Sequence, residues 1–344
     1  MLSRRLALTL AFSLFSLSST ALADGIVNVY SYRQPALVEP LFKAFTDATG
    51  IEVRMVFAEK GLIERMQQEA DLSPVDVLMT ADVGRLVEAV GKGLSQPVIS
   101  EAVKSKVPAG LRDANDQWFG LTMRARVIYA SRDRVTEQTM SYEDLADPKW
   151  KGKICTRPGD HPYNLGLVGA MIAKRGAEAT KVWAAGLKAN LALKPNGSDR
   201  AQAKSVWAGE CDLAIANTYY YGLMATNEKE PEQKEWAGSI KVLFPNANDR
   251  GSHVNISGMA LAKYAPDKDA ALKLMAYLAS PEAQKIYAEQ VFEYPVDPNV
   301  KPSELVASFG QLKADPLPLA DIAANRKAAS EMVDRVAFDD GAGS

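Results

Sequence analysis

Apolar positions along this chain follow two rhythms. Short apolar or alternating runs, "GIVNVYSY" (25–32), "IEVRMVFA" (51–58) and "VDVLMT" (75–80), predict strands. Between them the apolar residues recur at helical spacing. Leu37, Leu41, Phe42 and Phe45 share one face over residues 36–49, and Gly50 supplies a helix stop. Residues 62–70 and 82–91 predict two more helices. Strand and helix in strict alternation imply a parallel sheet with crossover helices.

After "QWFG" (117–120) the pattern changes. "LTMRARVIYASR" (121–132) is strand-like and long enough to leave one lobe and enter another. A second α/β region follows: a strand at 152–158, helices near 164–174, 177–190 and 199–208, then strands at 211–218, 239–245 and 255–263. Helices at 267–279 and 281–290 come next, with Pro281 opening the latter, and the tail 302–338 reads as helical pieces. The expected fold is α/β, in two lobes joined by a hinge of two strand crossings, near 121–130 and near 250–260. A ligand would sit in the cleft between the lobes, at the carboxyl ends of strands.

The first residues obey another logic. Arg4 and Arg5 precede an apolar stretch from Leu6 to Leu17, and Ala21–Leu22–Ala23 closes it with small residues. That is the pattern of a secretory signal peptide, residues 1–23, cleaved after Ala23. The stretch is shorter than the roughly 20 apolar residues a membrane span needs. Cleavage takes two of the 40 basic residues and none of the 42 acidic ones, so the mature chain is net −4 with histidine neutral. No basic field exists to attract nucleic acid. Export places the two cysteines, Cys155 and Cys211, where pairing is the default.

No G-x-S-x-G, H-E-x-x-H, P-loop or G-x-G-x-x-G is present, and the only histidines are His161 and His253. An enzyme lacks its base and nucleophile here, and a His/Cys zinc site lacks its ligands. Tyrosines stand in unusual places instead. Tyr163 lies eight residues after Cys155, and Tyr219 eight after Cys211, each past a strand and at a helix start. A Cys155–Cys211 bond between neighbouring parallel strands would bring "RPGDHPYN" (157–164) and "NTYYYG" (217–222) to one edge. Phenolate oxygens are hard anionic ligands suited to Fe(III). On residue types alone, Tyr219, Tyr220 and Tyr221 equally suit packing or stacking on an organic solute such as a polyamine, thiamine or a phosphonate.

"VNVYSYRQP", "SPVDVLMTADVGRL", "DQWFGLTMRARVIY", "KGKICTRPG", "ANTYYYG" and "NISGMALAK" together resemble the periplasmic ferric-iron-binding proteins of ABC transporters. The resemblance spans essentially the whole mature chain. It implies the type II periplasmic-binding-protein fold, with 24–124 beginning an N-lobe, 125–255 forming a C-lobe and 256–344 returning to the N-lobe and adding C-terminal helices. It further implies a monomer in the periplasm that binds Fe(III) without turnover and serves a membrane permease and its ATPase. Its metal tyrosines fall on Tyr163, Tyr219 and Tyr220, while Tyr221 falls on a packing position.

The N-lobe departs from part of that family. Gln34 and Pro35 stand where many members carry a histidine or tyrosine ligand. This is similar to a subgroup in which a synergistic anion, carbonate or bicarbonate, completes the iron's coordination. Arg124 matches the arginine associated with that anion; Arg33 and Gln34 are further candidates, and Arg126 shares a strand face with Arg124. Glu59, Asp76 and Asp82 read as helix caps or surface charges, Tyr30 and Tyr32 as core or cleft wall, and His161 as a solvated loop histidine.

Overall fold

The computed structural model describes residues 25–343. The signal-peptide reading of 1–23 lies outside them. Nine strands make one continuous curled sheet: β1 (Ile26–Ser31), β2 (Glu52–Phe57), β3 (Val77–Thr80), β4 (Phe119–Ser131), β5 (Ile154–Cys155), β6 (Leu213–Asn217), β7 (Ile240–Leu243), β8 (Val254–Leu261) and β9 (Tyr294–Pro295). The order is β2-β1-β3-β8-β4-β6-β5, with β7 and β9 also pairing to β4.

β4 is the element that makes two lobes of one sheet. Its first half, Phe119 to Ala125, pairs antiparallel with β8; its second half, Arg126 to Ser131, pairs with β6 and β7. β8 runs back beside it and pairs β3, closing the N-lobe. These are the two crossings that the long apolar runs implied. Both strands are buried nearly throughout, because helices cover both faces of the sheet. One core gathers Val27, Phe45, Val77 and Leu274 in the N-lobe; others gather Ile128, Trp183 and Leu213, and Tyr129, Ala214 and Met224, in the C-lobe.

The helices start and stop for legible reasons. The first, Glu39–Thr49, buries Leu41, Phe42 and Phe45, and Gly50 ends it at φ 74° while its N–H returns to the Thr46 carbonyl. A short 3-10 turn, Pro35–Leu37, precedes it where one helix from residue 36 was expected. The expected helix 281–290 is α-helical only over Pro281–Ile286 and becomes a π-helical turn over Tyr287–Val291. The C-terminal helices Leu319–Ala324 and Arg326–Arg335 pack on the C-lobe helix Pro162–Arg175. Leu319 and Ile322 also touch a cluster containing Val83 and Leu86 of the N-lobe. Among the described residues no helix is long and apolar enough to cross a membrane.

Candidate metal centre

β5 and β6 run parallel, with Cys155 beside Ala214, and the Cys155–Cys211 disulfide joins them with Cα atoms 5.9 Å apart. Each strand then delivers a tyrosine at the first turn of a helix. In Pro162–Arg175, Pro162 occupies a first-turn position and His161 is the N-cap, its Nδ1 accepting the Tyr163 N–H. The helix Thr218–Ala225 follows β6 directly and starts on the tyrosine triplet. The Tyr163 and Tyr219 hydroxyls meet at 3.2 Å, and the Tyr219 and Tyr220 rings stack at 4.2 Å. Tyr221 departs from them: its ring packs on Phe309 at 4.9 Å and does not line the cleft.

The three phenols open on a cleft of about 200 Å³. Tyr32, Arg33, Gln34, Lys60 and Arg85 face them from the N-lobe side. Burial pushes the Tyr219 phenol well above its ordinary range, helped by its neighbours Tyr163 and Tyr220. Burial also raises Tyr220, to about 12, with Tyr163 and Asp199 adding to the effect and Arg157 opposing it. These groups keep their protons at neutral pH unless a cation displaces them.

Positive charge is concentrated around Tyr163. The guanidinium carbons of Arg157, Arg124 and Arg126 lie 4.9, 5.5 and 5.9 Å from its ring centre. One fully buried carboxylate, Asp199, serves two of them, accepting from Arg126 at 2.8 Å and Arg157 at 3.2 Å. It also accepts the Asn217 N–H at 2.8 Å, so it ties the hinge strand, the Tyr163 loop and the start of the tyrosine helix together. Among the described residues no three His, Cys, Asp or Glu side chains are grouped to hold a metal ion. The oxygen donors that converge are phenols.

A model of bacterial extracellular solute-binding proteins matches residues 73–308. The chain belongs to that family. Iron uptake protein A1 of Synechocystis sp. is 42% identical over 291 residues, covering 84% of this chain and 81% of that protein. Apo ferric ion-binding protein A of Pasteurella haemolytica superposes with a TM-score of 0.88 at 49% identity, over 91% of this chain and 98% of that one. A Trichodesmium protein solved with iron and citrate gives 0.85 at 40% identity, over 91% and 100%. The two-lobed fold is therefore that of periplasmic ferric-binding proteins, and the family's members bind and transport rather than catalyse.

Not every anion candidate in this solute-binding protein reaches the cleft. Gln34 lies exposed on its wall. Arg33 lines it but is buried and held bidentately by Glu293, at 2.9 and 3.2 Å, leaving only Nε without a partner. Arg124 does not line the cleft; it stands behind Tyr163 and donates to Ser257 at 3.2 Å. The C-lobe arginine in the cleft is Arg157, six residues before Tyr163 within a loop singled out for its tyrosine alone.

Three other expectations fail, two on long-range contacts and one on burial. Asp76 is fully buried, not a surface charge, and accepts the N–H groups of Asn28 and Asp267. Asp82 precedes a helix without capping it through its side chain. It pairs with Arg326 at 2.8 Å and accepts from Asn255 at 2.7 Å. His161 is not a solvated loop residue: half-buried against Tyr163, it is held neutral by burial and by Arg157, its pKa lowered to about 2.

Proposed function

We propose that this protein captures Fe(III) in the interlobe cleft and delivers it to an ABC permease and its ATPase. The observation that carries the reading is the meeting of Tyr163, Tyr219 and Tyr220 at one mouth of the cleft, with two hydroxyls already 3.2 Å apart. Three phenolates supply three hard anionic oxygens to a trivalent cation. The guanidiniums around Tyr163 compensate the negative charge that ionisation leaves on its ring. Relatives named for iron uptake and ferric binding support the same cargo.

A small anion, carbonate or bicarbonate, fills the remaining coordination positions. Arg157 is the cleft cation best placed to hold it, with Gln34 and the free Nε of Arg33 donating from the N-lobe side. Arg124 acts through Tyr163 from behind. Cargo that touches both walls favours the closed arrangement of the lobes, which the permease reads. The signal peptide ending at Ala23 places the mature protein in the periplasm, working as a monomer.

The deciding measurement is a visible spectrum of apo protein titrated with Fe(III) and bicarbonate. A phenolate-to-iron charge-transfer band is expected at a stoichiometry of one iron per chain. A colourless mixture, or a band unchanged by both Tyr219→Phe and Tyr220→Phe, would sink the reading.

A further inference from the structure

The loop that carries Arg157 and Tyr163 is held by the far end of the chain. Asp339 lies half-buried in the 3-10 turn Phe338–Asp340, which follows the helix Arg326–Arg335. Its Oδ1 accepts the Gly159 N–H at 2.5 Å and its Oδ2 the Asp160 N–H at 3.3 Å. One carboxylate thus grips two successive amides between Arg157 and Tyr163. Hydrogen bonds to a charged acceptor are the strong ones.

Packing enforces the same approach. A Cβ at Gly159 would stand 2.7 Å from Phe338 and 2.8 Å from Val333, so only glycine lets the turn come this near. Phe338 is buried in the C-lobe core with Met332, Val333, Leu167 and Trp183, and the chain enters its turn through Ala337 at a left-handed φ of 51°. The turn is therefore anchored independently of the loop. Where the loop meets this core, a cavity of about 20 Å³ remains, lined by Gly159, Asn164, Leu167, Val333 and Phe338 among others. Apolar contact across a void is weak, which leaves the loop's placement to its polar bonds.

Those bonds are few. Asn164 donates to Thr156 Oγ1 and to the carbonyls of Arg157 and Pro158, so the loop is braced as one piece. From outside, Arg126 holds it at Asn164, Asp199 at Arg157, and Asp339 at Gly159 and Asp160. Arg126 and Asp199 also bind Asn217, at the start of the tyrosine helix. Asp339 serves the Tyr163 loop.

We propose that Asp339 is a positioning residue for the metal centre. By gripping Gly159 and Asp160 it sets Tyr163 against Tyr219 and places Arg157 in the cleft. This role rests on the cargo reading of those tyrosines.

Two measurements on the mature protein test it. In apo protein, Asp339→Ala should speed amide hydrogen exchange at Gly159 and Asp160 about tenfold or more, leaving the helix Arg326–Arg335 as protected as before. With Fe(III), chelator competition should show affinity falling about ten- to a hundredfold in the same variant, the range for losing an outer partner of a metal ligand. Asp339→Asn keeps one accepting oxygen and should show both effects in smaller measure. Asp340→Ala removes the neighbouring exposed acid and should match the unaltered protein, which separates position from charge. Four results would each overturn the proposal: unchanged exchange at Gly159 and Asp160 in Asp339→Ala, faster exchange spread equally through the helix, unchanged Fe(III) affinity, or an equal loss of affinity in Asp340→Ala. If the unaltered protein binds no Fe(III), the cargo reading falls, and exchange in the apo protein still decides whether Asp339 holds the loop.

Discussion

The hydroxyls of Tyr163 and Tyr219 lie 3.2 Å apart across 56 residues of sequence, the same separation that divides Cys155 from Cys211. The disulfide and the phenol pair are two rungs of one ladder. Parallel strands β5 and β6 carry the register from one to the other. The covalent rung sits in the C-lobe core and the chemical rung at the cleft.

That relationship makes the disulfide a determinant of the site as well as of stability. Cys155→Ser with Cys211→Ser removes a cross-link closing a loop of that length, worth up to about 4 kcal/mol in the chain-entropy model. Denaturant unfolding should show the loss. Fe(III) affinity measured at low temperature, where the double variant still folds, should fall as well, because Tyr163 is no longer held in register with Tyr219. Unchanged affinity would mean that the strand pairing alone sets the ladder.

Removing single hydroxyls should separate the triplet. Tyr219→Phe and Tyr220→Phe each delete a proposed ligand. Loss of an outer-shell partner alone costs ten- to a hundredfold, so a first-sphere loss should exceed about a hundredfold in Fe(III) affinity. Tyr221→Phe, whose ring faces Phe309, should leave affinity and colour as they are. Competition with a chelator of known strength measures all three. An equal loss in Tyr221→Phe would refute the division of labour.

Proton linkage follows from the raised phenols. Tyr219 and Tyr220 are protonated in the apo protein at neutral pH, and coordination expels those protons. Affinity should therefore rise with pH, about tenfold per unit for each proton displaced, and iron should be shed in acid. Loading in weakly buffered solution should release about two to three protons per iron. For apo stability the sign runs the other way. The folded pKa values lie above the unfolded value near 10, so this stabilisation is whole below pH ~10 and is lost as pH climbs toward about 12. A pH-independent affinity would exclude phenolate ligation.

Local rhythm carried most of the fold and half of the site. Both crossings, β4 and β8, announce themselves as long apolar runs because they are buried on both faces. Tyr163 and Tyr219 stood out because each follows a cysteine by eight residues, while their reading as metal ligands together with Tyr220 came from the family resemblance. Of the charges around them Arg33, Arg124 and Arg126 stood out, but Arg157 and the buried carboxylates did not. Asp199 opens a helix and looks like any first-turn acid, yet it is fully buried and anchors Arg126 and Arg157. Asp82 and Arg326 are 244 residues apart, and nothing in the spacing of a single sequence pairs them. Burial of a charge is a property of the partner, and the partner is chosen by topology.

Glu293 is the sharpest case, and the most demanding to test. It is fully buried at the end of the π-helical segment, just after Phe292, whose backbone takes the left-handed φ of 58°. Its carboxylate holds Arg33 from the end of β1 bidentately and accepts from Thr122 of β4 and Ser257 of β8. One acid thus gathers an N-lobe loop and both crossing strands immediately beside the tyrosines. Glu293→Gln keeps the shape but leaves Arg33 charged and unpaired, which should cost about 3–5 kcal/mol. Arg33→Met with Glu293→Leu removes both charges and should recover much of that stability, because the ion pair was costly to desolvate. Iron binding should tell the two effects apart. If Arg33 serves only Glu293, the double variant regains Fe(III) affinity along with stability. If the free Nε of Arg33 also holds the synergistic anion, the double variant refolds but its bicarbonate-dependent affinity stays low, and that second outcome is the one expected.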